Sequence, residues 1–377
     1  MDAILQIPHY GLSFLVLLTI LVFVHEFGHF WVARRNGVRV EVFSIGFGPE
    51  LFGWNDRTGT RWKFSLLPLG GYVKMFGDAG AASNPAEGID RMSAEDKAVA
   101  FHHKRLGQRA AIVAAGPAAN FLFAIVLLAG IFMTQGQPFT PPEIGTVRPD
   151  SAAAEAGLMP GDRIVAIDGS RVERFEAVQL IVRLNQGTPM AVEVLRDGRN
   201  ITLSVTPRVV ELTDRIGGTQ RVGQLGVGRS GVEFVRRDPF TAVVAGVEET
   251  WTLTAGTLTA VWQMITGTRT TEELGGPLRI AQMSGEATRS GATGFLWFAA
   301  ILSINLGLIN LFPIPVLDGG HLLFYAAEAV RGKPLGERAQ EYGFRIGLAL
   351  VLTLMLFSTW NDLVQLRVFS FLRGLVT

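Results

Sequence analysis

The apolar positions of this chain are gathered into long runs that polar segments separate. Four of these runs approach the roughly 20 residues that a helix needs to cross the hydrocarbon core of a membrane. They cover residues 11–33, 110–133, 294–312 and 346–360. The pattern predicts a mainly α membrane protein with four transmembrane helices.

Basic residues flank three of the runs on the side that would face the cytoplasm. They follow the first run, precede the second and follow the third: Arg34, Arg35 and Arg39; Lys104, Arg105 and Arg109; Arg331, Lys333 and Arg338. Because basic flanks stay in the cytoplasm during insertion, we predict that residues 34–109 and 320–345 are cytoplasmic. The long stretch 134–290 is then extracytoplasmic.

The first part of this outer stretch has the pattern of a small α+β domain at 140–210. Strands are predicted at 144–147 and 163–167, helices at 151–156 and 175–184, and a hairpin turns at Asp197-Gly198. This order, with the string Gly157-Leu158-Met159-Pro160-Gly161-Asp162, resembles a bacterial PDZ domain. The resemblance implies a groove that accepts a peptide as an added strand. Residues 225–228 are a candidate for contacting the peptide carboxylate.

The rest of the outer stretch, 211–292, reads as a linker with one apolar helix at 239–267. A fifth transmembrane span is one interpretation of this helix. Glu248 and Glu249 lie at its centre, where charges are costly in lipid, and the apolar residues recur at helical spacing. An amphipathic helix on the outer leaflet is therefore the favoured prediction.

Composition narrows the chemistry. Among 377 residues, 48% are hydrophobic and 18% are charged, and the net charge of +1 offers no basic field for nucleic acid. The chain contains no cysteine, which excludes disulfides and thiolate metal sites. A bound metal must rely on His, Asp or Glu.

The first apolar run carries His25-Glu26-Phe27-Gly28-His29. Two histidines at i and i+4 of a helix project from one face, so both imidazoles can reach one zinc ion. Glu26 beside them can take a proton from the water that the metal activates. Ionisable side chains inside a membrane helix point to a functional site.

A catalytic zinc site usually takes three protein ligands and keeps one position open. The third candidate is Asp318, at the cytoplasmic end of the third run, which is the same end at which His25 and His29 lie in the first. His321 is the alternative, although it lies further toward the loop. Pro313 and Pro315 should break the helix there, and irregular backbone at membrane depth is tolerated where it lines a wet cavity.

Three further polar positions lie near these elements. Asn310 offers an amide that could contact substrate or form an interhelical hydrogen bond. His102 and His103 lie in a polar segment, which predicts that they are solvated.

The cytoplasmic segment after the first run, about 40–76, is predicted to contain a β element. Residues 40–45 and 61–67 are rich in strand-forming side chains, and the Gly- and Pro-containing strings at 46–49 and 68–71 are interpreted as breakers. Its open edge could hold an extended substrate, or the element could be a small structural sheet.

The whole chain resembles the site-2 protease family of intramembrane zinc metalloproteases. The motifs that carry the resemblance are His25 to His29 and the strings at 43–48, 68–75, 107–111, 116–121 and 310–321. The resemblance implies one Zn²⁺ per chain, held by His25, His29 and Asp318, with Glu26 as catalytic base. It further implies that substrate contacts a membrane-reentrant β element at Gly46, Phe47 and Gly48, and also Asn310, Pro313 and Pro315. Some bacterial members carry two tandem PDZ domains, whereas this sequence shows one.

The family resemblance also implies partners and a location. Members cut single-pass membrane proteins, commonly anti-sigma factors already shortened by an upstream site-1-type protease, and some clear remnant signal peptides. We therefore expect an endopeptidase of the bacterial inner membrane, with 1–133 and 293–377 forming the catalytic membrane part, its site near the cytoplasm and its PDZ domain in the periplasm. The alternative is a catalytically inactive PDZ-containing membrane scaffold.

Overall fold

The computed structural model describes residues 2–78, 80, 91–185, 187–213, 219–267 and 275–365. The predicted linker 211–292 and the last predicted segment 293–377 therefore include residues outside this description. The chain divides into two compact units, residues 1–130, 243–257 and 272–377 in the first and 131–242 and 258–271 in the second.

Among the residues that the structure describes, four helices are long and apolar enough to cross a membrane, in agreement with the prediction from the sequence. They are Pro8–Arg35, Leu106–Thr134, Ala292–Asn310 and Arg338–Val364. The helices that contain them are α1 (Asp2–Arg35), α3 (Leu106–Thr134), α8 (Ala292–Asn310) and α10 (Glu337–Gln365). A short helix, α2 (Ala94–Val99), and a 3-10 turn, Phe101–His103, precede α3.

The end of α8 follows the predicted break. The helix stops at Asn310, Pro313 and Pro315 lie in an irregular segment, and α9 (Asp318–Arg331) begins at the carboxylate of interest. Val316 in this segment has a φ of 100°, a conformation that costs a β-branched residue on the order of 1–3 kcal/mol. The strained turn thus lies two residues before Asp318.

The β element is a long antiparallel hairpin of β1 (Val40–Asn55) and β2 (Arg61–Met75). The prediction that 46–49 and 68–71 end the strands is wrong. Gly46, Gly48 and Gly70 adopt positive φ values of 89°, 86° and 121°, and the register shifts there while pairing continues. Glycine lets the strands bulge at these positions instead of stopping.

Aromatic packing holds the hairpin against α1. Phe43 is fully buried, its ring stacks on Trp62 at a centroid distance of 4.3 Å, and Phe30 meets both rings edge-on. At the hairpin turn, burial raises the pKa of Asp56, but hydrogen bonds from Thr58, Trp62 and Thr60 outweigh this and lower it to about 2.

The second unit contains the predicted α+β domain. Its elements are β4 (Ile144–Val147), α4 (Ala152–Glu155), β5 (Arg163–Ile167), β6 (Ser170–Arg171), α5 (Phe175–Leu184), β7 (Met190–Arg196) and β8 (Arg199–Val205). The sheet order is β6-β5-β7-β8, around a core in which Ile144, Ile164 and Val192 are fully buried. Burial raises the pKa of Asp162, yet hydrogen bonds from Arg196 and from the Met159 N–H lower it overall.

Short strands complete this unit. They are β3 (Gln137–Phe139), which pairs with β12 (Glu233–Val235); β9 (Arg208–Thr213), which pairs with β10 (Thr219–Gln224); and β11 (Val227–Arg229), which pairs with β4. A groove lies between α5 and residues 222–227, with Val178 and Val182 on one wall and Leu225 on the other. The candidate segment 225–228 therefore borders the groove, and its role toward a carboxylate stays a prediction.

The apolar helix predicted at 239–267 is α6 (Pro239–Ile265), with Asp238 capping its first turn. Its first-unit residues contact transmembrane helices. A Cβ at Gly246 would lie 3.0 Å from the Ile125 carbonyl of α3, and Thr257 donates a 3.4 Å hydrogen bond to Asn305 of α8. Its position on the outer leaflet stays a prediction. The next helix, α7 (Pro277–Arg289), is capped by Asp362 of α10.

Candidate metal and catalytic site

Helix α1 presents His25 and His29 on one face, one turn apart. Both side chains are buried, and their Nε2 atoms lie 3.2 Å from each other. Glu26, half-buried between them in the sequence, lines the same cavity. The helical repeat alone produces this arrangement, since residues four apart stack along one face.

Asp318 brings a carboxylate to the two imidazoles from the first residue of α9. Its Oδ2 lies 3.1 Å from His25 Nε2 and 3.4 Å from His29 Nε2. Among the residues that the structure describes, these three form a group whose ligand atoms lie within 4.8 Å of one another. His321, the alternative third ligand, lines the cavity but is not in this group.

The donor set fits a zinc ion. Asp318 Oδ2 is buried and accepts no hydrogen bond from the described part of the chain. A buried carboxylate oxygen without a donor is costly unless a cation balances it. Two imidazole nitrogens and one carboxylate oxygen form a ligand set that zinc accepts, with a fourth position left for water.

Groups on α3 lie behind both imidazoles. His29 Nδ1 lies 2.9 Å from the carbonyl oxygen of Ile112 on α3. A carbonyl only accepts, so Nδ1 carries the hydrogen and the lone pair of Nε2 is free to bind a metal. His25 Nδ1 faces the side-chain amide of Asn120, also on α3, at 3.1 Å.

Close approach of α3 to α1 depends on small residues. A Cβ at Gly116 would overlap His29 Nε2 and lie 2.9 Å from His25 Cε1, and one at Gly28 would overlap the Ala115 carbonyl oxygen. No pattern in the sequence directly indicates these roles. Gly116 and Asn120 belong to the string at 116–121, which contributes to the family resemblance but does not indicate what each residue contacts.

The site opens into a cavity of about 200 Å³. Its walls combine the three candidate ligands with residues from β2, the end of α8, the turn before α9 and α9 itself. Among them are Gly71, Tyr72, Val73, Asn310, Leu317 and His321. A Cβ at Gly71 would lie 2.7 Å from the Ser44 carbonyl oxygen and 3.3 Å from Glu26 Cγ. Strand β2 therefore passes directly beside the candidate base.

The residues predicted to contact substrate lie at different distances from the cavity. Asn310 lines the cavity, and its Nδ2 donates to the Leu306 carbonyl oxygen within α8, so this bond does not join two helices. Phe47 reaches the cavity wall indirectly, because its ring stacks on Tyr72 at 6.0 Å. Gly46 and Gly48 flank it in β1, while Pro315 packs against Gly343 of α10 and Pro313 lies in the irregular segment.

The prediction that His102 is solvated is wrong. Its Nε2 lies 2.9 Å from Asp78 Oδ1, and only 16% of its side chain is exposed. The 3-10 turn folds against the end of β2, where the Met75 N–H donates to the other Asp78 oxygen. The pair thereby links the turn to the hairpin.

The chain is similar in sequence to bacterial proteins that are named as metalloproteases. The sequence pattern of peptidase family M50 matches residues 13–354. A protein of Agrobacterium fabrum, named as a zinc metalloprotease, is 47% identical over 95% of this chain and 96% of its own length. Metalloprotease MmpA of Caulobacter vibrioides is 40% identical over 97% of this chain and 98% of its own length. The regulator of sigma-E protease RseP of Salmonella typhimurium is 34% identical over 94% of this chain and 98% of its own length.

Among solved structures, the PDZ domain of an SdrC-like protein from Listeria monocytogenes is similar to part of this chain. The match covers 24% of this chain and 88% of that domain. Its sequence is 17% identical and its TM-score is 0.19.

Proposed function

Since the chain belongs to peptidase family M50, a family of zinc metalloproteases, we propose that it cuts peptide bonds in or near the transmembrane segments of single-pass membrane proteins. It is a metalloprotease of the bacterial inner membrane. The observation that carries the proposal is the convergence of His25, His29 and Asp318 on one cavity that Glu26 also lines. Two of these ligands belong to a helix apolar enough to span the bilayer.

His25, His29 and Asp318 would hold one zinc ion per chain. The metal would supply a Lewis acid that activates water and polarises the substrate carbonyl. The three side chains would set its position from two elements, the C-terminal part of α1 and the start of α9.

Glu26 would act as the proton carrier. Its carboxylate takes the proton of the attacking water and then passes it to the amine that leaves. Its half-buried position beside β2 supports this role, because a substrate held along that strand would pass next to its carboxylate.

Strand β2 and the bulged part of β1 at Phe47 would hold the substrate in an extended form. A helical transmembrane segment keeps its carbonyls in its own hydrogen bonds, so cleavage requires local unwinding. The edge of the hairpin beside Tyr72 offers main-chain partners for an unwound chain. Asn310, which also lines the cavity, would contact the same substrate strand.

The clients we propose are anti-sigma factors shortened by an upstream protease, remnant signal peptides, or both. The basic flanks support a cytoplasmic position for the site and a periplasmic position for the PDZ domain.

The test is Glu26→Gln in the purified full chain, with the exposed Glu95→Gln of α2 as the matched control. We expect the Glu26 variant to keep zinc and to lose cleavage of a single-pass substrate by about a hundredfold or more. The control should cleave at the unchanged rate. Cleavage by Glu26→Gln at the wild-type rate would remove Glu26 from its role.

The same variant identifies clients. Expressed in its native cell, it should accumulate uncut membrane proteins that mass spectrometry can identify. A wild-type chain that carries no zinc and cleaves nothing, while its groove still binds peptides, would instead establish the non-catalytic scaffold.

A further inference from the structure

The side chain of Asn120 stands behind the metal ligands without any part in the chemistry described above. It lies on α3, is fully buried, and its amide meets Nδ1 of His25 on the side of the ring away from Asp318. In the structure, Nδ2 of Asn120 lies 3.1 Å from Nδ1 of His25. In that orientation Oδ1 is buried and has no hydrogen-bond partner in the described part of the chain.

The other ring nitrogen fixes what Nδ1 must be. His25 Nε2 points at His29 Nε2 and Asp318 Oδ2, so it needs a free lone pair to serve as a metal ligand. A neutral imidazole carries one hydrogen, which must then reside on Nδ1. A buried N–H requires an acceptor, and the group that faces it is the amide of Asn120.

We infer that Asn120 is a positioning residue whose amide oxygen accepts the Nδ1–H of His25 and so directs Nε2 to the metal. The amide oxygen and nitrogen have nearly the same shape, and their assignment follows from the hydrogen bonds they make. Exchanging them gives the stranded Oδ1 a donor. It also gives His25 the arrangement that His29 already has with the Ile112 carbonyl.

This role rests on the proposed function, because it assumes that Nε2 binds zinc. Asn120 is held in place for it, since Ser303 of α8 donates a 2.8 Å hydrogen bond to its backbone carbonyl. The bond leaves the side chain free to face His25. Ser303→Ala is therefore a matched control that disturbs the same contact between helices without removing the amide.

The experiment measures zinc affinity of the purified full chain by competition with a chelator. We compare the wild type with Asn120→Leu, which has similar volume and no acceptor, and Asn120→Asp, which keeps an acceptor oxygen. Loss of such an outer partner typically weakens metal binding about 10- to 100-fold, and we expect this for Asn120→Leu. Asn120→Asp and Ser303→Ala should stay within a few-fold of the wild type.

Equal affinity of Asn120→Leu and wild type would overturn the inference, as would equal losses for the Leu and Asp variants. If Asn120→Leu does not fold, ¹⁵N NMR of histidine-labelled, zinc-loaded wild type decides. A hydrogen on Nδ1 of His25 supports the inference, and a bare Nδ1 overturns it. A wild type that binds no zinc would contradict the proposed function instead.

Discussion

Gly116 shows how much the site depends on a single missing side chain. Any Cβ at this position of α3 would overlap His29 Nε2 and crowd His25 Cε1. We expect Gly116→Ala to displace the imidazoles, to weaken zinc binding at least tenfold, and to cost about 1–3 kcal/mol of stability through overpacking. Zinc content and cleavage rate of the purified protein measure the effect.

Gly130→Ala is the control for helix propensity, because a Cβ at this position of α3 meets no atom of the described chain within 4 Å outside its own helix backbone and chain neighbours. It should leave zinc binding and cleavage unchanged. A Gly116→Ala protein with wild-type zinc affinity would show that the imidazoles have room that the structure does not give them.

Single residues differed in how far the sequence could predict them. His25 and His29 follow from the helical repeat, and Asp318 follows from matching the cytoplasmic ends of two parallel spans. Gly116, Asn120 and Tyr72 gave no such signal, because their roles arise where distant elements meet. Asp78 and His102 likewise meet only after the chain folds back on β2.

The hairpin offers a test at the scale of elements. Gly46 and Gly48 both have positive φ, but a Cβ at Gly46 would lie 2.7 Å from the Leu67 carbonyl oxygen, whereas one at Gly48 meets nothing within 4 Å of the described chain. Alanine at either site costs about 1 kcal/mol in backbone strain. We expect Gly46→Ala to distort the hairpin beside Phe47 and to reduce cleavage several-fold more than Gly48→Ala.

Initial cleavage rates on one single-pass substrate, at equal zinc content, measure this difference. Equal rates for the two variants would mean that the bulge at Gly46 does not shape the path of the substrate.

Elements were predicted well where length or periodicity decided them. The four apolar runs and helix α5 were found at or near their predicted positions. The predicted strands of the hairpin are too short, because strings rich in glycine and proline are typical of strand ends. In the structure the partner strand continues to supply hydrogen bonds past each bulge, which a local pattern does not reveal.

The whole molecule can be tested for its orientation, and its lack of cysteine makes this simple. Asn200→Cys lies on the exposed surface of the α+β domain, and Arg57→Cys and Lys333→Cys are exposed on segments predicted to be cytoplasmic. In cells with a permeable outer membrane, we expect an impermeant maleimide to label Asn200→Cys at once. The other two should be labelled only after the inner membrane is opened.

Each cysteine variant must retain cleavage activity for its labelling to be interpreted. Labelling of Arg57→Cys in intact cells would reverse the orientation inferred from the basic flanks.

Because of the strained turn at Val316, the backbone that carries Asp318 differs from the backbone that carries His25 and His29. His25 and His29 project from the C-terminal part of a continuous helix, whereas Asp318 follows a segment whose backbone would relax if nothing restrained it. An ion held by all three would act as a cross-link that closes a very long loop of chain, and such closures stabilise by limiting the unfolded state. Chelation should therefore loosen the start of α9 before it disturbs α1.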